Sequence, residues 1–563
     1  MTGFRVGSRL VGAAILANLC LDFPAYGQDT KRVSVDGSGL EANNTSGAAS
    51  VSRDGRYVSF SSDASNLVLG DFNQHLDVFL KDMSSGGVTL ISVDSLGNQG
   101  DGDSYSSVVA CISGDGAVVC FDSDSTNLVS GDTNGSLDVF VRDTVSGVTS
   151  RVSADAAGNQ GNGLSLGGVV SSDGLVVAFM SDATNLVTSD LNGVRDVFVH
   201  DLVTGVIERI SVDSQGAEGD KASEWPSLSS DGRFVAFSSE ATSLVTNDSN
   251  NKRDVFVRDR VLGTTTRVSV DNAGKQANGL SDRPSTSADG RFISFQSAAT
   301  NLVSGDSNGS VDVFVMDLAN ATIVRCSVDS LGNEGNGACT SNCISLSGRL
   351  VAFSSNASNL VPGDTNGQSD CFLADLSTGE VDLASVDSAG RIGNSGSHAV
   401  SVSGNERVVV FDSFSSNLVV GDGNVVSDVF VHERCSSIAN STNYGTGLPG
   451  SLGVPSITAN QPPSLGTTLD VTVGNSYGAP TVGIVLVGFQ QATLHTKCGG
   501  DVLLIPAYLL PITFSFGGSV ISGSISNDVE YCGLGIYLQV VEADPGAVLG
   551  VSFSQGLWLS LGA

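Results

Sequence analysis

SADGRFISFQSAATNLVSGDSNGSVDVFVMDLANATIVRCSVDS, residues 287–330, is one copy of a repeat that runs through most of the chain. Its Phe295 has counterparts at Phe60, Phe121, Phe179, Phe237, Phe353 and Phe411, spaced by 61 residues and then five times by 58. Self-similarity at a fixed period marks units that bury their apolar faces against one another. Each copy reads as four strands. A short piece such as PSTS leads into a tight turn at Asp-Gly (Asp54-Gly55, Asp115-Gly116, Asp173-Gly174, Asp231-Gly232, Asp289-Gly290), a strong hairpin signal because Gly accepts positive φ. A second strand of the RFVAFSS type follows, then a longer loop, a DVFVRD strand, a short turn and a TTRVSVD strand. Val, Ile, Phe and Thr dominate these runs, as strands require.

Four strands per repeat is the pattern of a propeller blade. The SVD step ends at Asp36, Asp94, Asp155, Asp213, Asp271, Asp329 and Asp387, seven times, but its first copy precedes the first Phe strand and none follows the last DVFV. The N-terminus therefore supplies the missing outer strand of the last unit, which removes an exposed sheet edge. The expected fold is all-β: a seven-bladed β-propeller closed by the N-terminal strand, plus a C-terminal β-sandwich domain. The expected boundaries are a signal peptide at 1–27, the propeller at 28–440, a linker at 441–460 and the C-terminal domain at 461–563.

The chain has 563 residues, 40% hydrophobic and 15% charged, with 69 Gly against 12 Pro. It can bury a core. Its 27 Lys and Arg against 59 Asp and Glu leave a net charge of −32, which argues against nucleic acid and anionic lipid as partners and favours cations or a basic partner. Arg5 and Arg9 precede the apolar run LVGAAILANLCL, and Ala25-Tyr26-Gly27 places small residues at a cleavage site. This reads as a secretory signal rather than a stable membrane insertion, and predicts a secreted, periplasmic or cell-surface protein. Nine of the ten Cys would remain after cleavage, so an oxidising compartment leaves at least one free.

The units SSDGRFVAFSS (229–239) and DVFVRDRVLGTTTRVSVD (254–271) resemble the TolB-type, WD-repeat-like propeller repeat across residues 30–435. The resemblance implies the fold. TolB proteins are periplasmic and carry an α/β domain before the propeller, which this chain lacks; similar propellers accompany prolyl-oligopeptidase-like peptidases and some polysaccharide lyases. A shared fold does not transfer an activity. The segment SSIANSTNYGTGLPGSLGVPSITANQPP (436–463) and the Gly/Val/Leu-rich stretch after it resemble a C-terminal domain of secreted planctomycete proteins. The Cys usual after YGTG in that domain is Leu448 here. The resemblance leaves Cys498 and Cys532 as the disulfide pair, a link of ~2–4 kcal/mol.

The long loops carry Asp-x-Asn-x-x-x-Asp in every copy: Asp71/Asn73/Asp77, Asp132/Asn134/Asp138, Asp190/Asn192/Asp196, Asp248/Asn250/Asp254, Asp306/Asn308/Asp312, Asp364/Asn366/Asp370 and Asp422/Asn424/Asp428. Two readings stand. Alternating side-chain oxygens are what Ca²⁺ needs for its six to eight ligands; the same side chains also cap backbone N–H groups and hold irregular loops. The Asn of SNLV or TNLV (Asn66, Asn127, Asn185, Asn301, Asn359, Asn417, with Ser243 in the fourth copy) reads as a turn residue beside a Leu-Val plug. Trp225 breaks the small-residue pattern of its segment and, with Lys221 and Glu224, marks either a binding contact on the long-loop face or a filler between units. His200 and His432 share a strand slot rather than a catalytic motif. The reading is a non-catalytic scaffold that binds a protein or glycan on the long-loop face, with Ca²⁺ as the one cofactor the loops suggest. The alternatives are a polysaccharide lyase or hydrolase and a structural envelope protein.

Overall fold

The computed structural model describes residues 29–106, 111–434, 440–464, 467–496, 501–525, 534–547 and 550–561. The expected signal peptide and the Cys498–Cys532 pair lie outside the described residues. Among the described residues every regular element is a β-strand, and no helix is long and apolar enough to cross a membrane. One compact unit spans Thr30–Glu433 and a second holds the chain from Arg434 onward.

The first unit consists of four-stranded antiparallel sheets, seven in all, consistent with propeller blades. The fourth is typical: Ser223–Leu228, Phe234–Ser239, Asp254–Asp259 and Thr264–Arg267, hydrogen-bonded in chain order. Sheets 1 to 7 are numbered by their third strands, Asp77–Asp82, Asp138–Asp143, Asp196–Asp201, Asp254–Asp259, Asp312–Asp317, Asp370–Asp375 and Asp428–Glu433. The second and third strands pair so that the repeat phenylalanines meet, Phe237 opposite Phe256 for example. The seven Phe pairs stack with centroids 5.6–6.0 Å apart and are no more than 1% exposed. In sheet 7 the fourth strand is Thr30–Arg32, antiparallel to Asp428–Glu433. Val33 beside it is fully buried in a cluster with Val429 and Val431.

Sheets 3 to 7 pack first strand against first strand, and the first strand of sheet 7 packs on that of sheet 1. The first strands of six sheets line one cavity of about 80 Å³ through Ser50, Val170, Ser227, Ser285, Cys343 and Ser401, and Ile112 of sheet 2 completes the wall. The hairpin turns after these strands are stitched through backbone bonds: Arg53 N–H to Gly114 O, Gly114 to Ser172, Asp173 to Ser230, Ser230 to Ala288, Ala288 to Leu346, and Asn405 back to Arg53, at 2.8–3.2 Å. Each first strand also carries a bulge or irregularity where it is described over its length, as between Glu224 and Ser227. The bulge puts Ala48, Trp225, Arg283 and Ala399 at φ of 50–54°, a conformation that non-glycine residues rarely take.

In the second unit one sheet contains Asn440–Tyr444, Gly556–Ser560, Gly535–Ala543, Thr481–Gly488 and Tyr508–Phe514, and a three-stranded sheet contains Ile457–Ala459, Thr468–Val473 and Ser519–Ser524. Val471 and Val473 of the small sheet share one apolar core with Val485, Phe514, Val540 and Leu557 of the large one. The expected linker at 441–460 is corrected here. Asn440–Tyr444 pairs with Gly556–Ser560 and Ile457–Ala459 with Thr468–Val473, so the Ser/Asn/Gly composition that reads as a linker is that of two edge strands.

Candidate functional site

The Asp-x-Asn-x-x-x-Asp loops form a dense bonded layer. In sheet 4, Ser269 Oγ donates to Asp254 Oδ1 at 2.6 Å while accepting the Val255 N–H at 3.1 Å. Asn250 Nδ2 donates to Asp254 Oδ2 at 2.7 Å and to Ala277 O at 3.0 Å. The Ser-to-Asp bond recurs in the other six sheets, from Ser92, Ser153, Ser211, Ser327, Ser385 and Ser34. So does the Asn bond to the following connection, through Asn73, Asn134, Asn192, Asn308, Asn366 and Asn424. These bonds put the second-to-third-strand loops and the sheet-to-sheet connections on one face; the Asp-Gly and Thr-Gly turns close the other. The SNLV asparagines lie in the same layer: Asn66 Oδ1 accepts the Asn43 N–H at 2.9 Å and Nδ2 donates to Glu41 O at 2.8 Å.

An arginine fills the middle of this layer in five sheets. Arg209 Nη1 lies 3.5 Å from Asp190, 3.4 Å from Asp196 and 2.6 Å from Glu218. Arg32, Arg151, Arg267 and Arg325 hold the same station against the Asp pairs of sheets 7, 2, 4 and 5, with 6–10% of each side chain exposed. Three carboxylate triads whose oxygens lie within 4.8 Å of one another, Glu41/Asp422/Asp428, Asp190/Asp196/Glu218 and Asp306/Asp312/Glu334, are thus each gathered around a guanidinium. Buried carboxylates need such a partner. Burial still pushes Asp422 up to about 6 against the opposing Arg32 charge. In sheets 1 and 6 the arginine's place is taken by Leu90 and Leu383.

Trp225, Glu224 and Lys221 do not form one cluster. Trp225 packs against the apolar core of sheets 3 and 4, as Leu166 does, and the Arg283 guanidinium lies 4.5 Å above its ring. Cation–π stacking of this kind adds about 0.5–2 kcal/mol. Glu224 is bound from both sides, by Arg195 at 3.4 Å and Arg253 at 3.0 Å. Arg195 continues to Asp182 at 2.8 Å, and Arg253 to Glu240 and Asp282, both at 3.2 Å. Lys221 stands apart in the preceding connection: burial raises the Asp248 carboxyl, and the Arg267 and Lys221 charges oppose that rise.

The ion-pair chain and Arg283 escape a reading of the sequence because the contacting residues lie 13–58 positions apart. They meet only because equivalent positions of adjacent repeats become neighbours. Of the paired histidines only His200 ties two sheets, its Nδ1 bonding Val152 O after the last strand of sheet 2; His432 Nδ1 bonds Thr30 Oγ1 within sheet 7, both at 2.8 Å. Arg142 and Arg258, in the same slot, donate to Asp94 O and Asp213 O.

The inner strands show where the copies diverge. Their first residue is Ser46, Ser104, Ser165, Ser223, Ser281, Cys339 and Ser397, all buried. The next residue is Gly47, Tyr105, Leu166, Glu224, Asp282, Thr340 and His398, seven different residues, each partly or fully exposed. This ring sits at the long-loop end of the strands that surround the central cavity.

No family model matches the chain, and no curated protein matches it. Solved structures similar to it include the putative TolB of Agrobacterium tumefaciens (14% identity over 64% of this chain and 88% of that one, TM-score 0.31). An acylaminoacyl peptidase of Pyrococcus horikoshii is similar at 10% identity over 78% of this chain and 59% of the peptidase, TM-score 0.42. The WD40 repeats of RRP9 are similar at 11% identity over 73% and 98%, TM-score 0.36. What those proteins act on or assemble with is not carried over to this chain.

Proposed function

We propose that the chain is an extracytoplasmic, non-catalytic scaffold, a seven-bladed β-propeller closed by its N-terminal strand and followed by a β-sandwich, that binds a protein or glycan at the inner-strand mouth of its long-loop face. The observation that carries this reading is the ring Gly47, Tyr105, Leu166, Glu224, Asp282, Thr340 and His398. A repeat that serves only packing keeps its residues, as the buried position one earlier does, serine in six sheets and the similarly small Cys339 in the other. Seven different side chains at one solvent-reached level break the symmetry and give an asymmetric ligand distinct contacts. Trp225 and Arg283 add an aromatic and a guanidinium face one residue further along, the side chains that most often anchor interfaces. The basic residues Arg195 and Arg253 are engaged by carboxylates, which suits a neutral or mixed ligand better than a polyuronate.

The test is binding to glycan and protein panels, with Trp225→Ala, Tyr105→Ala and His398→Ala beside a control on the other face, Arg233→Ala. Loss of 10-fold or more in affinity for a ligand in the first three, and none in the control, is the expected result. A ligand whose affinity ignores all three places the function elsewhere, and turnover of a glycan replaces the scaffold with an enzyme.

A further inference from the structure

In sheets 1 and 6 the acidic layer keeps its aspartates and its Ser-to-Asp bond but has no arginine; in sheet 1 Asn73 bonds Gly100 O without the bond to the aspartate Oδ2 that its counterparts make, and Gln99 Nε2 donates to Asp71 Oδ1 at 3.2 Å. The arginine that ends the fourth strand in five sheets, at Arg32, Arg151, Arg209, Arg267 and Arg325, is Leu90 in sheet 1 and Leu383 in sheet 6. The carboxylates have not changed with it. Asp77 and Asp370 are fully buried, and Asp71 and Asp364 are 6% and 7% exposed. Asp77 Oδ2 and Asp364 Oδ1 have no hydrogen-bond partner; Asp190, Asp248 and Asp306 Oδ1 have none either, but each of those faces an arginine. Asp77 Oδ2 and Asp364 Oδ1 are the counterparts of atoms that face the guanidinium in the other sheets. The Oδ2 counterparts of Asp138, Asp196, Asp254, Asp312 and Asp428 lie 3.4–3.7 Å from their arginine. The Oδ1 counterparts of Asp190, Asp248 and Asp306 lie 3.2–3.7 Å from theirs. Two buried carboxylates on one spot, with an oxygen of each set aimed at a place that holds positive charge in every other copy, are costly to keep ionised alone.

We infer that sheets 1 and 6 each bind a hard oxygen-seeking cation, Ca²⁺, in the station that arginine fills in the other five, through Asp71 and Asp77 in one and Asp364 and Asp370 in the other. Water completes the shell, since Ca²⁺ takes six to eight oxygens and the protein offers few; the affinity belongs in the range of about 10⁻⁴–10⁻³ M. The inference is independent of the ligand-binding reading, because it concerns loops fixed within single sheets.

The experiment is calorimetric titration of the full mature chain with CaCl₂ in tetramethylammonium chloride at about 0.15 M, which screens diffuse binding to the acidic surface without supplying a competing hard cation. The expected stoichiometry is near two. Leu90→Arg removes one site and Leu383→Arg the other, and the double variant loses both, together with the rise in melting temperature that Ca²⁺ gives the parent. Asp77→Asn and Asp370→Asn give the same pattern if either arginine variant fails to fold. No heat and no thermal shift up to about 10 mM Ca²⁺, binding that survives in both variant pairs, or a stoichiometry near seven would each overturn the inference.

Discussion

At residue scale the most informative departure from the repeat is a coupled pair. In sheets 1 to 5 a serine at the end of the first strand donates to the turn aspartate two residues on, Ser229 to Asp231 at 2.7 Å for instance. In sheet 6 that aspartate is Ser347. Its role passes to Glu406 of sheet 7, whose Oε1 accepts from Ser345 Oγ at 2.9 Å and from Ser347 Oγ, and whose Oε2 lies 3.6 Å from Arg349. Glu406 takes the turn position that is glycine in the other sheets and keeps its positive φ of 62°, so the side chain is held at some backbone cost. It also stands at the one junction where the backbone stitching between adjacent turns has no counterpart. Ser347→Asp alone is expected to destabilise, because it sets a second carboxylate against Glu406. Glu406→Gly alone removes the acceptor. The double variant Ser347→Asp/Glu406→Gly restores the arrangement of sheets 1 to 5. A double-mutant cycle in urea should show a coupling of about 0.5–3 kcal/mol in favour of the double change. Additive effects would mean that Glu406 does not replace the missing aspartate.

At the scale of elements, the Asp-Gly turn is also a packing device between sheets. A Cβ on Gly290 would sit 2.2 Å from Phe234 Cδ2 of the preceding sheet, and one on Gly348 the same distance from Phe292. Positive φ adds to the constraint, 72° at Gly290. Gly290→Ala is therefore expected to cost more than about 1 kcal/mol, read as a lower urea midpoint. Gly309→Ala, also at positive φ but with nothing near its Cβ, should show only the backbone part. Equal losses in the two would remove the steric argument. The Asp-Gly signal thus showed the hairpin in sequence but not its neighbour. The same divide runs through the molecule. Strand positions, their number per repeat and the swap at the chain ends follow from period and alternation, which are local. The arginine of the acidic layer is visible as a recurring letter at Arg151, Arg209, Arg267 and Arg325, yet reads as strand polarity until the loop folds back over it. The first-strand bulge that presents Trp225 and Arg283 has no local signal, because Trp and Arg are poor candidates for positive φ. The linker reading of 441–460 failed for the opposite reason: Ser, Asn and Gly fit an exposed edge strand as well as a coil.

At the scale of the whole first unit, stability depends on nine residues, 28–36, at its start. Val33 and Ser34 are fully buried. Ser34 donates to Asp428 at 2.5 Å across 394 positions, Thr30 Oγ1 donates to Val386 O at 2.6 Å, and Arg32 is the cation of the Glu41/Asp422/Asp428 triad. Take away residues 28–36 and sheet 7 keeps three strands. Asp428–Glu433 then becomes an open edge, and Asp422, Asp428 and Glu41 lose their counter-charge. Losing the burial of Val33 alone costs about 1.5–3 kcal/mol, and the unsatisfied Asp428 a further ~1–3 kcal/mol. An exposed strand edge is also a template for another chain. The truncated protein should therefore melt earlier and form concentration-dependent oligomers in sedimentation, both reversed by a synthetic peptide of residues 28–36. Because the same nine residues carry an arginine and a serine that every complete acidic layer needs, a peptide with Arg32→Leu and Ser34→Ala should fail to rescue although its strand hydrogen bonds are intact. Rescue by that peptide equal to the native one would mean that the edge alone, and not the buried charge layer, makes closure necessary.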